Sequence, residues 1–169
     1  TSEIQGDASS LLVAALASDI SGNLYVGGSF TSIGGVSANY IAKWNGSIWS
    51  PLGSGTNSGS YGAVDVLLCD GLGNLYAGGQ FTIAGGLTAN YIAKWNGSTW
   101  IALGSGMNGW VEALACDNQG NLYAGGSFST AGGVSAIGIA KWNGSTWSVL
   151  GNGMGGSTPY VNALVCDGF

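Results

Sequence analysis

A chain of 169 residues is long enough for one domain with a real hydrophobic core. Only 7% of the residues are charged against 46% hydrophobic and 11% aromatic, which disfavours disorder. Eight carboxylates against three lysines leave a net charge of −5, which disfavours a nucleic-acid backbone or an anionic membrane as partner, and no apolar run approaches the ~20 residues of a membrane helix, so no membrane insertion is expected.

In chain order, the opening "TSEIQGDASS" carries neither an initiator Met nor the apolar run of a signal peptide. Residues 1–12 read as the end of a preceding joint or linker. A strand follows at "VAALASD" (13–19) and returns as "VDVLLCD" (64–70), "VEALACD" (111–117) and "VNALVCD" (161–167). In each full copy the Leu of "LGSG" or "LGNG" lies 39 positions after the leading Val, at Leu52, Leu103 and Leu150, while the next Val comes 12, 8 and 11 positions later. A constant body with a variable joint marks a repeat architecture. The expected units are blades at 13–63, 64–110 and 111–160, with 161–169 as the first strand of a further blade.

Within each body the pattern has period two, and helix signals are missing. Strand A is V-x-A-L-x-C-D. Strand B, N-L-Y-x-G-G, follows a D-x-x-G-N turn. Strand C, I-A-K-W, follows a loop with a second Gly-Gly. Strand D, S-x-W-x-x-L-G, follows Asn-Gly, a strong hairpin signal because both residues tolerate positive φ. Four antiparallel strands in about 40–50 residues describe one blade of a β-propeller. The small residues of strand A suit a crowded central axis. Trp44 and Trp49, Trp95 and Trp100, and Trp142 and Trp147 fall on one face of each C–D hairpin, where they are expected to pack.

"GNLYAGGQFTIAGGLTANYIAKWNGSTWIALGSGMN" resembles the Gly-rich repeats of bacterial secreted and surface β-propellers, a pattern similar to kelch and other D-x-x-G-N-x-Y blade repeats. The resemblance covers nearly everything beyond the first ten residues. It implies an all-β propeller of four-stranded antiparallel blades, here about three blades plus one strand, and an extracellular or cell- or particle-surface location. It carries no catalytic residue over to this chain, because propellers host enzymes, lectins and scaffolds alike.

Candidate chemistry is sparse. The chain has no His, and its three positive charges are Lys43, Lys94 and Lys141, so triads, imidazole bases and arginine clamps are excluded. No catalytic residue and no cofactor is expected. Cys69, Cys116 and Cys166 occupy one repeat position without C-x-x-C spacing, which reads as free thiols acting as small hydrophobes and not as a zinc site. Asp19, Asp70, Asp117 and Asp167 open the D-x-x-G-N turns, where a carboxylate caps backbone N–H groups; "DNQGN" (117–121) comes closest to a calcium loop, and no metal is expected. Asn45, Asn96 and Asn143 stand in Asn-Gly-Ser sequons and are candidate glycan acceptors, although the turn alone accounts for Asn-Gly.

Alternating strand directions put the A–B and C–D turns on one rim and the B–C and D–A loops on the other. The second rim carries the length variation and the candidate binding residues Asn39, Tyr40, Asn90, Tyr91 and Trp110. The expected function is a non-catalytic module for recognition, adhesion or scaffolding with a protein or glycan partner. A lectin, with one shallow site per blade, is the first alternative, and a fibre or coat subunit the second. Closed propellers need about 4–8 blades, so ring completion is expected from flanking blades or from further copies of the chain.

Overall fold

The computed structural model describes residues 12–57, 63–155 and 160–167. The joint expected at 1–12, apart from Leu12, lies outside the described residues, as do parts of two of the variable D–A connections, at 58–62 and 156–159. The described elements are all strands.

Three four-stranded antiparallel sheets repeat one order, A-B-C-D. The first is β1 (Leu12–Ser18), β2 (Leu24–Ser29), β5 (Ile41–Trp44) and β6 (Trp49–Pro51), with a small hairpin of β3 (Ser32–Ile33) and β4 (Val36–Ser37) inside the B–C loop. The second is β7 (Val64–Cys69), β8 (Leu75–Gly79), β11 (Ile92–Trp95) and β12 (Trp100–Ala102), with β9 (Ile83–Ala84) and β10 (Leu87–Thr88) as its hairpin. The third is β13 (Trp110–Cys116), β14 (Leu122–Ser127), β17 (Ile139–Trp142) and β18 (Trp147–Val149), with β15 (Thr130–Ala131) and β16 (Val134–Ser135). These are propeller blades in an open array, with β1 beside β7 and β7 beside β13 along the inner edge. The hairpins inside the B–C loops are an addition to the four strands expected from sequence.

The Gly-Gly of strand B has two separate causes. The A–B ladder slips by one residue in every blade, between Val13 and Ala15, between Val64 and Val66, and between Val111 and Ala113. This bulge presses strand A backbone onto the second glycine: a Cβ on Gly79 would collide with the Ala63 carbonyl oxygen and stand 2.9 Å from Asp65 N. The first glycine faces the next blade, where a Cβ on Gly27 would stand 2.6 Å from Val64 Cγ1, and one on Gly78 the same distance from Val111 Cγ1.

The core lies between blades. One cluster joins Ala15, Tyr25, Ile41 and Leu52 of blade 1 to Val64, Leu75, Phe81 and Trp100 of blade 2. A second joins Tyr76, Ile92, Leu103 and Met107 of blade 2 to Val111, Leu122, Phe128 and Trp147 of blade 3. Each joint is bolted by a buried hydrogen bond: Trp100 Nε1 donates to Leu52 O and Trp147 Nε1 to Leu103 O, both at 2.8 Å. The paired tryptophans do pack, with ring centroids 5.3, 5.5 and 5.3 Å apart and tilted planes.

The C–D turns have four loop residues, because Trp44 pairs directly with Trp49. Only the glycine of Asn-Gly takes positive φ, 94° at Gly46. The asparagine contributes its side chain: Asn45 Oδ1 accepts from Ser47 N at 3.0 Å and Ile48 N at 2.9 Å, and Asn96 and Asn143 do the same in their copies. The repeated lysine lies over the tyrosine of its own strand B, with Nζ 5.8, 5.6 and 5.5 Å from the ring centroids of Tyr25, Tyr76 and Tyr123.

The A–B turns are closed by their aspartates. Asp117 Oδ1 accepts from Gln119 N (3.0 Å) and Asn121 N (2.9 Å), and Oδ2 from Asn121 Nδ2 (2.7 Å) and Tyr123 OH (3.0 Å). Those bonds, led by the Asn121 amide, hold the Asp117 carboxyl down at about 2. Asp65 is the opposite case. It stands at the bulge of β7, and burial pushes its carboxyl up to about 6; the bond from Gln80 Nε2 (3.1 Å) opposes the rise and the neighbouring Glu112 carboxylate adds to it.

From these two groups alone, stability is expected to peak near pH 4. Below it, the lowered Asp117 loses its stabilising contribution as pH falls from its ordinary 3.8 towards 2. Above it, the raised Asp65 makes the unfolded chain the better acid, so stability falls as pH rises from 3.8 to about 6. Asp65→Asn is expected to remove that upper fall and to stabilise the chain at pH 7 by about 1 kcal/mol, the full shift being reduced by solvent screening of a partly exposed group. Urea unfolding at pH 4 and pH 7 checks this; a wild-type chain more stable at pH 7 than at pH 4 contradicts it.

Candidate functional site

The B–C loop is shaped by a backbone clamp that recurs in each blade. Tyr40 N donates to Phe30 O (2.8 Å) while Tyr40 O accepts from Gly28 N (3.0 Å), and Tyr91 makes the same pair with Phe81 O (2.8 Å) and Gly79 N (3.1 Å). The clamp holds both tyrosines in the left-handed region at φ 65°, and they are the non-glycine residues there among those described. Blade 3 has Gly138 in the same clamp, at φ 72°, donating to Phe128 O and accepting from Gly126 N. Glycine takes this conformation without cost, whereas tyrosine pays about 1–2 kcal/mol.

Beside each tyrosine, an asparagine ties its B–C loop to the D–A connection of the same blade. Asn39 Nδ2 donates to Ser54 O (3.0 Å), and Asn90 Nδ2 to Ser105 O (2.9 Å). Their carbonyls accept from Thr56 N (3.2 Å) and Met107 N (3.1 Å). The candidates Asn39, Tyr40, Asn90 and Tyr91 therefore fall at equivalent places on one rim. Asn39 and Tyr40 line a groove of about 350 Å³ between blades 1 and 2, together with Ser54, Gly55, Asn57 and Ile83. Asn39 is exposed and Tyr40 half-buried, its ring reaching down to the first core cluster. Trp110 is apart from this group: it begins β13 opposite Ser127, is exposed, and does not line the groove.

Two residues not singled out from sequence tie the joints on this rim, Asn57 beside the groove and Asn108 at the joint between blades 2 and 3. Asn57 Oδ1 accepts from Thr82 N (3.2 Å) and Ile83 N (2.8 Å) of the next blade. Asn108 Oδ1 accepts from Ser129 N and Thr130 N, both at 2.9 Å, while its Nδ2 donates to Ser129 Oγ (2.8 Å). The signal was present as "GTN" and "GMN", but a partner one repeat away has no mark in the chain.

The opposite rim also has clefts. One of about 670 Å³ lies between blades 2 and 3, bounded by Cys69, Asp70, Leu72, Tyr76, Lys94, Cys116 and Asp117. Its thiols are free, and burial, followed by nearby aspartate charge, pushes Cys69 and Cys116 up to about 11, where thiolate chemistry is suppressed. Asp70 is committed to its turn through Leu72 N (2.9 Å), Asn74 N (2.8 Å) and Asn74 Nδ2 (2.7 Å). No group of three or more His, Cys, Asp or Glu is placed to hold a metal ion among the described residues. The sequons Asn45, Asn96 and Asn143 are exposed on this rim.

A family model described as domain of unknown function (DUF5122) beta-propeller matches residues 21–46, from the A–B turn of blade 1 into its C–D turn. No curated protein matches the chain. Three four-stranded antiparallel sheets and this match make the chain a β-propeller repeat protein, all-β and open as an array.

Proposed function

We propose that this chain is a non-catalytic recognition module of the Gly-rich, kelch-related kind, extracellular or on a cell or particle surface, whose partner, protein or glycan, binds the B–C/D–A rim. The observation that carries this is Tyr40 and Tyr91 kept at φ 65° where Gly138 does the same structural task without strain. Both rings also pack on the joint clusters, and backbone strain of this kind clusters at ligand-contacting positions. The absence of His and Arg and the commitment of the turn aspartates to backbone caps support a role without catalysis.

A carbohydrate ligand is favoured within that reading by a shallow groove that sets an aromatic ring beside an exposed carboxamide. The same Asn–Tyr geometry at Asn90 and Tyr91 offers a second, individually weak site and so avidity. A fibre or coat role is the structural alternative.

The test uses the glycine already present in blade 3. In the double variant Tyr40→Gly, Tyr91→Gly, relief of strain offsets lost packing, so unfolding free energy is expected to change by no more than about 2 kcal/mol. Binding to an array of immobilised oligosaccharides is expected to fall at least about tenfold. Leu72→Ala, on the other rim, is expected to leave it unchanged. Glycan binding lost in Leu72→Ala and kept in the double variant puts the site on the wrong rim; an array with no response removes the carbohydrate reading.

A further inference from the structure

The two joints on the B–C/D–A rim are built alike and filled differently. Thr56 N donates to Asn39 O at 3.2 Å and Met107 N to Asn90 O at 3.1 Å, and the same two residues bridge to Ala84 and Ala131 of the following blade. Thr56 and Met107 therefore hold one place, 3% and 4% exposed. Met107 belongs to the core cluster of its joint. Thr56 instead lines the groove beside Asn39 and Tyr40, and its Oγ1 is buried without a hydrogen-bond partner among the described residues. A buried hydroxyl left unpaired is costly, and a valine of the same shape would avoid the cost.

The polar groups around Thr56 are neutral, and two have bonding capacity to spare. Asn39 spends Nδ2 on Ser54 O, which leaves its Oδ1 as an acceptor. Asn57 spends Oδ1 on Thr82 N and Ile83 N, which leaves its Nδ2 as a donor. Ser54 adds an exposed hydroxyl. Among the described residues that line this groove, none is charged. The second joint has less to offer: Asn108, the counterpart of Asn57, spends Nδ2 on Ser129 Oγ at 2.8 Å, and Met107 brings no hydroxyl. In the third copy Ile137, Gly138 and Met154 hold the places of Asn39, Tyr40 and Thr56, with Met154 N donating to Ile137 O at 2.9 Å.

Resting on the recognition reading above, we propose that the groove between blades 1 and 2 selects an uncharged, polyhydroxylated ligand, a neutral sugar residue, and that Thr56 sets this groove apart from the second joint. The hydroxyls of a sugar ring both donate and accept, which matches an acceptor at Asn39, a donor at Asn57 and hydroxyls at Ser54 and Thr56. Thr56 meets the sugar by turning about χ1 from one staggered well to another, and the new bond recovers what the isolated hydroxyl costs the unliganded chain. A carboxylated or sulfated sugar would enter with no cation to pair its charge, on a chain whose net charge is −5.

Thr56→Val keeps the shape and removes the hydroxyl, so stability and binding should move in opposite directions. Without ligand the melting temperature is expected to rise by roughly 2–6 °C, because an unpaired buried group is gone. The probe is the gluco-, manno- or galacto-oligosaccharide that responds most strongly on the array, and its affinity in titration calorimetry is expected to weaken about three- to tenfold. Met107→Leu, a volume-conserving change at the second joint, is expected to leave that affinity unchanged. Oligogalacturonate and sulfated galactan fragments are expected to bind at least about tenfold more weakly than neutral galactan oligomers. An array on which nothing binds removes the carbohydrate reading and this inference with it. Neutral binding that Thr56→Val leaves unchanged, or acidic fragments bound as tightly as neutral ones, overturns this inference while the reading of the rim stands. A melting temperature lowered by Thr56→Val overturns it too, because the hydroxyl is then bonded within the chain.

Discussion

A single methyl group on Gly79 is expected to cost the chain about 3 kcal/mol or more of stability. The atoms that a Cβ would meet are the Ala63 carbonyl oxygen, Asp65 N at 2.9 Å and Val64 Cα at 3.1 Å, all of them backbone at the β7 bulge. A flexible side chain can turn aside from an added methyl, but a bulged strand that is hydrogen-bonded to its partner cannot. Overpacking typically costs about 1–3 kcal/mol and more where the backbone must move. For a chain of this length that lowers the melting temperature by roughly 6–12 °C. Gly71→Ala is the control, since nothing lies within 4 Å of its Cβ and its φ is not positive; it is expected to stay within about 0.5 kcal/mol. Thermal unfolding of the two variants side by side decides the matter. Equal melting temperatures would show that the bulge does not press on the second glycine.

The second large effect separates tryptophans that look alike in sequence. Trp100→Phe removes a buried hydrogen bond of 2.8 Å to Leu52 O and part of a ring in the first core cluster. The lost bond is worth about 1 kcal/mol and the lost packing one or two more. Leu52 O keeps its bond from Gly55 N (3.1 Å), which limits the penalty for the orphaned acceptor, so the sum is about 2–3 kcal/mol. Trp147→Phe should match it through Leu103 O. Trp49→Phe should cost less than about 1.5 kcal/mol, because its indole reaches no carbonyl of a neighbouring blade among the described residues and it packs on Trp44 and at the margin of a smaller cluster within blade 1. Denaturant unfolding of the three variants checks the order. Equal losses would mean that the joints are held by something other than the indole bolt.

Much of this molecule was legible in the chain because its repeat is written in local signals. The strand ranges of "IAKW" coincide with β5, β11 and β17, since Gly and Asn stop the ladder within a few residues. The paired tryptophans were placed by strand period alone, which does not depend on what lies across the sheet. The D-x-x-G-N turns closed on their aspartates for the same local reason.

What remained hidden were bonds that cross from one repeat to the next. Asn57 and Asn108 read as ordinary loop residues until the following blade brought Thr82 and Ser129 against them. The lysine gave no hint that it would lie over the tyrosine paired with it on the adjacent strand, some eighteen residues away in sequence. Tyr40 and Tyr91 were singled out as exposed aromatics, but their left-handed backbone was invisible, because the clamp needs Phe30 and Gly28, or Phe81 and Gly79, on both sides. Gly138 in the third copy was the one trace of it in the sequence.

The division follows range. By itself the sequence determined most of what neighbours along the chain govern: four strands per repeat, their turns, the constant body and the joints of variable length, though not the small hairpin inside each B–C loop. The tertiary structure alone decided which glycine answers to its own blade and which to the next. It also decided which tryptophan carries a bolt, and that Asn39 and Tyr40 meet Asn57 and Ile83 in one groove. Identical repeats look the same to local chemistry, and only stacking gives Trp49 and Trp100 different neighbours.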